Sequence, residues 1–407
     1  MKVDNETIEF HHKIFFWYAL FMAFPRILIL GQNISIFLFP VMIYAFYKRY
    51  GYIFRLDRLE VLIIPYFAVG AVLSVVNQHL IGADDVTLSR AHAVLPNYIY
   101  WSILILFLIG QRDNIRLDIL GKGIYWGVIL SIIYYFILQK LGIRSLVIFS
   151  SLTQNAFAFL LIIYSPIAVY YIANKNPRWG VAFLFLLIIS GFLSGSRSAS
   201  ILVMTESLFA FWLVYKRSFR YIILGFLILG PFVAILNETG VVENTVMALN
   251  PRAHNLLYNT ENVIEQDRSY LIRRAMVEKG LKIHEEHPLF GIGLNNFTNY
   301  EAELEGNFEG AQYVINKSRI NETSSHNSYI NLLAEAGLFA MAPFLLFLII
   351  VLFRVAFRFT GMPGQAQAIC VGFFGLLIHF YFINAIVNVF AWFGIGLCIA
   401  IANRKYI

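Results

Sequence analysis

Apolar runs of about 20 residues, long enough to cross ~30 Å of hydrocarbon as a helix, recur along nearly the whole chain and leave it few ways to fold. Inside lipid each backbone polar group must be satisfied within its own segment, so such runs become helices. Candidate spans lie near 13–31, 33–47, 59–80, 96–110, 120–140, 152–173, 179–195, 198–215, 221–236, 327–353, 366–383 and 385–402. Composition agrees, with 59% hydrophobic and 14% charged residues, against roughly 25% charged in a soluble domain. The reading is an all-α polytopic membrane protein with about 12 transmembrane helices. The charged start "MKVDNETIEFHHK" precedes the first run and no small-residue cleavage site follows it, so that run reads as an uncleaved helix. Cys370 and Cys398 sit in apolar segments and read as small hydrophobes rather than a disulfide or metal pair.

Basic residues in short loops stay on the cytoplasmic side. Lys48, Arg49, Arg55 and Arg58; Arg112, Arg116 and Lys122; Lys175 and Arg178; Lys216, Arg217 and Arg220; and Arg354 and Arg358 fall on alternate connections, joined by Lys2, Lys13, Arg404 and Lys405 at the termini. Both termini are predicted to be cytoplasmic. The net charge of +7 thus reads as a topology signal, with no nucleic acid as partner. The other face carries few positive charges, among them Arg90, Lys140, Arg144 and Arg197.

Three divisions follow. Residues 1–236 hold spans one to nine, 237–325 form one large outer loop, and 326–407 hold spans ten to twelve. The loop carries more than half of the chain's 24 acidic residues, with Asn and Tyr that suit a sugar-like ligand. A structureless loop of roughly ninety residues would be unusual. Ile272, Met276 and Ile283 share a helical face after Asp267 as N-cap, and Pro288 forbids continuation, which predicts a helical cap.

On that cap helix, Arg268 falls one turn before Ile272 on the packed face, while Arg273 and Arg274 point elsewhere and Arg274 is spaced for a surface pair with Glu278. An arginine facing a packed side wants an anion; the competing reading is a helix-end arginine snorkelling along the membrane. Arg197 lies in "SGFLSGSRSASILV", a short reversal between spans whose Gly191, Gly195 and Ala199 allow close helix approach. An ionisable group there marks function by default. With Ser194, Ser196, Ser198 and the amides opening the next helix it suggests a phosphate seat. "SSHNSYINLLAEAGLFA" places His326, Asn327, Asn331 and Glu335 as a polar stripe opening an apolar span, facing protein or water rather than lipid. His326 is either a structural hydrogen-bonder or, with an ordinary imidazole pKa of ~6.5, a general base. Arg197, Arg268 and His326 are all predicted at the same extracytoplasmic surface. Arg90 and His92, in "LSRAHAVLPNYIYW", share that face and either help hold lipid or glycan, or belong to an interfacial loop beside Tyr98, Tyr100 and Trp101. "HEEH" (284–287) reads as a surface helix end, "GIGLNNF" (291–297) as a turn back to the membrane, and no Walker motif is present.

"LSGSRSA", then "DRSYLIRRAMVEKGLKIHEEHPLFGIGLNNF", then "SSHNSYINLLAEAGLFA" resemble, in order and spacing, the O-antigen ligase and polymerase superfamily of bacterial envelope glycosyltransferases, in detail over about residues 185–345. The resemblance implies a C-type membrane glycosyltransferase of the inner membrane with its active site at the periplasmic face. It implies that Arg197 and Arg268 bind the pyrophosphate of an undecaprenyl-linked glycan, that His326 activates the acceptor, and that Glu335 supports it, with no cofactor. Two arginines would stabilise the departing pyrophosphate without a metal, and one displacement at the anomeric carbon predicts inversion. The Arg-poor, Phe-, Tyr- and Ile-rich composition resembles that of polysaccharide gene clusters, and by that resemblance a polymerase is favoured over a ligase. Membrane lipid and a chain-length regulator are candidate partners. A lipid-glycan flippase would also have about 12 spans, but such transporters are commonly built from repeated halves. This chain shows no evident repeat, and besides Glu335 only Arg26 and Glu206 lie deep in a span.

Overall fold

The structure, a computed structural model, describes residues 5–24, 28–29, 32–55, 59–138, 153–194, 196–215, 243–244, 247, 268–300, 325–386 and 388–406. The expected span at 221–236, Arg26, Asp267 and most of the 237–325 loop lie outside these residues. The described elements are helical apart from a two-residue antiparallel pair, Leu28–Ile29 with Gln32–Asn33. The helices are α1 (Asn5–Ala23), α2 (Ile34–Tyr50), α3 (Leu59–Leu80), α4 (Asp85–Gly110), α5 (Leu117–Ile133, continued by a π-turn over Tyr134–Leu138), α6 (Gln154–Lys175), α7 (Pro177–Leu193), α8 (Arg197–Val214), α9 (Arg268–Glu286), α10 (Ser328–Arg358), α11 (Gly364–Phe380) and α12 (Val389–Ala402). Among the described residues five helices are long and apolar enough to cross a membrane, and α7, α11, α12 and most of α8 are apolar but shorter. The chain is therefore an α-helical, multi-pass membrane protein.

One boundary moves further than the others. α4 begins at Asp85 rather than near 96, because the Asp84 side chain accepts from the amide of Thr87 (2.7 Å) and the helix runs on through Pro96. "LSRAHAVLPNYIYW" is thus helical, not an interfacial loop.

The chain divides into two compact units. The first takes residues 1–51, 116–263 and 362–376. Small residues let its helices close in: a Cβ at Gly123 or Gly127 would collide with α1, one at Gly180 with Ala173 of α6, and one at Gly372 with the Ile163 carbonyl. Ser131 on α5 donates to the Ala23 carbonyl at 2.7 Å. The central α6 is buried over most of its length. Glu206 on α8 lies buried against Gly375 with no hydrogen-bond partner on either oxygen.

The second unit takes residues 52–115, 264–361 and 377–407. Trp101 of α4 stacks on Trp392 of α12 at 5.2 Å, and Phe67 and Phe344 complete the aromatic core. Gly70 on α3 has no room for a side chain against Phe339 and Ala340 of α10. At one end Arg55 pairs with Asp113 (2.9 Å) and Arg358 donates to the Ala402 carbonyl (2.8 Å).

Candidate active site

At the head of α10, in the second unit, the sequence Ser325–His326–Asn327 makes a turn that the helix then continues. Asn327 is the N-cap, its side-chain oxygen accepting from the amides of Tyr329 (3.0 Å) and Ile330 (3.1 Å), which satisfies two of the donors a helix start leaves open. His326 therefore precedes the helix instead of opening its polar stripe. Its φ of 49° is left-handed, an uncommon conformation for a residue with a Cβ, held here by its neighbours. Ser325 donates to the Asn327 carbonyl (2.8 Å) and lies 3.2 Å from the side-chain oxygen of Asn331. Ser328 donates to the Ile383 carbonyl (2.7 Å) and accepts from the Ala385 amide (2.9 Å), and Tyr329 donates to the Leu377 carbonyl (3.0 Å). His326 is left half-buried. Burial first, and then the Arg273 charge, push its imidazole below the ordinary histidine value.

The rest of the stripe faces protein. Asn331 and Glu335 are buried, and the Glu335 carboxylate receives the backbone amide of Phe297 (3.0 Å), that of Asn295 and the Asn331 side chain. A chain of hydrogen bonds thus runs from the turn at Ser325 through Asn331 and Glu335 to the 291–297 segment. Residues 288–297, which include that segment, cross α10 where the helix breaks, at Gly337 (φ 67°, ψ −169°). The amides of Ile292 and Gly293 donate to the carbonyls of Ala334 and Glu335 (both 3.0 Å), and those of Leu338 and Phe339 donate to Pro288 (2.9 Å) and Leu289 (3.1 Å). The loop supplies hydrogen bonds at the break in the α10 ladder. Both crossing points need glycine: Gly291 and Gly337 each have φ 67°, and a Cβ on either would strike the other strand's backbone.

α9 packs on this assembly through Ile272, Ala275, Met276 and Ile283, against Ile292, Phe297 and Ala334. The predicted stripe is the packed face. Arg268 opens the helix one turn before Ile272; its side chain is outside the described residues. Gly280 sits directly on Ile330 of α10, and two turns before it on the same side is Arg273, half-buried, whose charge acts on both His326 and His379. The apolar pattern alone points Arg273 away from this face. The packed face is wider than an apolar pattern reveals, because a glycine adds nothing to a hydrophobic stripe yet allows the closest approach. Arg90 on α4 donates to Asn299 (2.7 Å) and Thr298 (3.4 Å), and the Asn296 side chain donates to the Thr87 carbonyl (3.1 Å). Arg90 thereby fastens the loop to α4, while His92 pairs with His79 at 3.1 Å. Of "HEEH", Glu286 and His287 meet the Tyr300 hydroxyl.

In the first unit, Arg197 is the first residue of α8 and Ser196 its N-cap. Ser196 is buried, does not cap with its side chain, and donates its own amide to the Ser194 hydroxyl oxygen at 3.2 Å. The side chains of Arg197 and Ser198 are outside the described residues.

Residues 182–345 match the family described as O-antigen ligase. These 164 of the chain's 407 residues are what is similar to that family. The match supports the O-antigen ligase/polymerase superfamily and implies an O-antigen ligase-type glycosyltransferase. No curated protein matches the chain. The matched stretch begins within α7 and ends within α10, so it takes in Ser196, Arg197, Ser198, Arg268, His326, Asn327, Asn331 and Glu335. Arg90 lies outside it and reaches it through Thr298 and Asn299. Chemically, the head of α10, within the matched stretch, offers a half-buried imidazole whose pKa is lowered by burial and by a guanidinium within electrostatic range. Such a pair can accept a proton from a hydroxyl beside an anionic group.

Proposed function

We propose that the chain is an O-antigen or capsular polysaccharide polymerase of the inner membrane, with about 12 spans, a C-type glycosyltransferase plan, cytoplasmic termini and a periplasmic active site. It transfers glycan from undecaprenyl pyrophosphate to a hydroxyl of another lipid-linked repeat unit. What carries the reading is the stretch that matches the O-antigen ligase family, with its left-handed, half-buried His326. His326 takes the acceptor proton as the hydroxyl oxygen bonds to the anomeric carbon. The bond from that carbon to the pyrophosphate oxygen breaks on the opposite side, with inversion. Arg197 and Arg268 hold the departing pyrophosphate, their fixed charge supplying what a metal would otherwise supply. Ser196 and Ser198 add donors to that seat. Asn327, Asn331 and Glu335 keep the His326 turn in register, and Arg90 acts through the loop. A chain-length regulator is a further partner.

The family description itself names the ligase, which is the second reading: the same donor, with lipid A-core as acceptor. The decisive experiment supplies purified protein with a pyrophosphate-linked repeat, with and without lipid A-core, and includes Arg197→Ala, Arg268→Ala and His326→Ala. Polymer formed without core, and lost by at least about 100-fold in each variant, is the expected result. Transfer only to core would favour the ligase, and wild-type rates in all three variants would remove the site.

A further inference from the structure

In the first unit, where α1 meets the end of α2, lies a cluster that the proposed reaction does not use. His11 on α1 is fully buried, its ring edge-on to Phe46 at 4.2 Å and to Tyr50 at 5.4 Å, and 5.4 Å from the ring of His12. Neither ring nitrogen of His11 has a hydrogen-bond partner, nor does the buried Nε2 of His12. Arg49 on α2 likewise buries Nε and Nη1 without a partner, its guanidinium 5.2 Å from the centre of the Tyr50 ring. The charges of Arg49 and Arg116 reach both histidines. Acid is scarce around them among the described residues. Asp118, whose charge reaches His12, is held by Arg116 through two 3.1 Å bonds, and the exposed Glu9 pairs with Lys13 at 2.6 Å.

Several buried polar groups beside the unanswered charge of Arg49, with no hydrogen-bond partner, are costly as they stand. We propose that His11, His12 and Arg49 form a binding site for a phosphate group. The occupant must be anionic to answer Arg49, since Arg116 is already paired with Asp118. It must offer several acceptor oxygens in different directions, because a guanidinium edge and two imidazoles approach from two helices. A phosphate monoester or diester meets both needs, either as the headgroup of an anionic lipid or as a soluble phosphate. Half-buried Arg49 and His12 form the open side of the site, and exposed Tyr44, Tyr47 and Lys48 flank it on α2. Exposed tyrosines beside a basic residue suit the headgroup level of a membrane.

Full-length protein in zwitterionic detergent is titrated with phosphatidylglycerol, with phosphatidylcholine, and with inorganic phosphate, following thermal unfolding. The expected result is a rise in Tm with phosphatidylglycerol alone, its apparent affinity weakened about ten-fold or more by Arg49→Gln, His12→Gln and His11→Phe. Arg178→Gln, which removes an exposed charge elsewhere in the first unit, leaves it unchanged. His11→Phe keeps a ring against Phe46 and Tyr50, so it carries the test should Arg49→Gln fail to fold. A variant-sensitive shift with inorganic phosphate and none with the lipid assigns the site to a soluble phosphate. No shift with either, or a lipid shift equal in every variant, overturns the site.

Discussion

His326 precedes α10 because Asn327, one residue later, is the better helix cap, and this places the imidazole on a left-handed turn instead of a helix face. The turn's neighbours do the positioning, which makes their substitution informative. Asn327→Ala should lower stability by about 1 kcal/mol, read by chemical unfolding in detergent, whereas Asn327→Asp, which caps equally well, should not. The acid side of the rate profile tests the imidazole. Because burial and Arg273 depress its pKa, the neutral base persists as pH falls through ~6.5 and transfer declines only below that. Arg273→Gln removes a positive charge that disfavours the imidazolium, so the pKa rises and the acid limb of the initial-rate profile moves to higher pH. An unmoved limb would show that another group titrates. The sequence makes His326, Asn331 and Glu335 visible as polar residues opening an apolar run. It does not make Arg273 visible, since the contact that turns it inward runs through the side-chain-free Gly280.

Among elements, spans were the most legible feature, because hydrophobic length is written directly in composition: α3 keeps the predicted 59–80, and α6, α7 and α8 fall within about two residues of expectation. The extension of α4 to Asp85 was hidden by polar residues that a membrane pattern reads as loop. The break at Gly337 was equally hidden, because it depends on a distant segment. "GIGLNNF", expected as a turn back to the membrane, belongs to a clasp, residues 288–297, that is joined to α10 on both sides of the break. Gly337→Ala and Gly291→Ala each force a side chain into the facing backbone at positive φ and should cost about 1–3 kcal/mol or more. Gly361→Ala, where nothing lies within 4 Å, should be close to neutral. Thermal unfolding of the three variants in one detergent separates these outcomes.

For the whole molecule, the alternation of basic loops predicts both termini inside and the 237–325 loop outside. Enzyme-reporter fusions after Arg220 and Arg404 should be active only with a cytoplasmic reporter, and fusions near Tyr300 only with a periplasmic one. The reverse pattern at Tyr300 would move the proposed site to the wrong side for its lipid-linked donor. The clasp on α10 also bears on how the chain is made. Leu338–Arg358 alone provides about 20 residues, enough to cross the bilayer, so the translocon can release that half as an ordinary span. Ser328–Ala336 is too short for that and brings buried Asn331 and Glu335 with it. Its hydrogen bonds are to residues 288–297, which are synthesised earlier and which the proposed topology places outside. On that topology, assembly of the His326 turn is predicted to be a late step of biogenesis, completed after insertion.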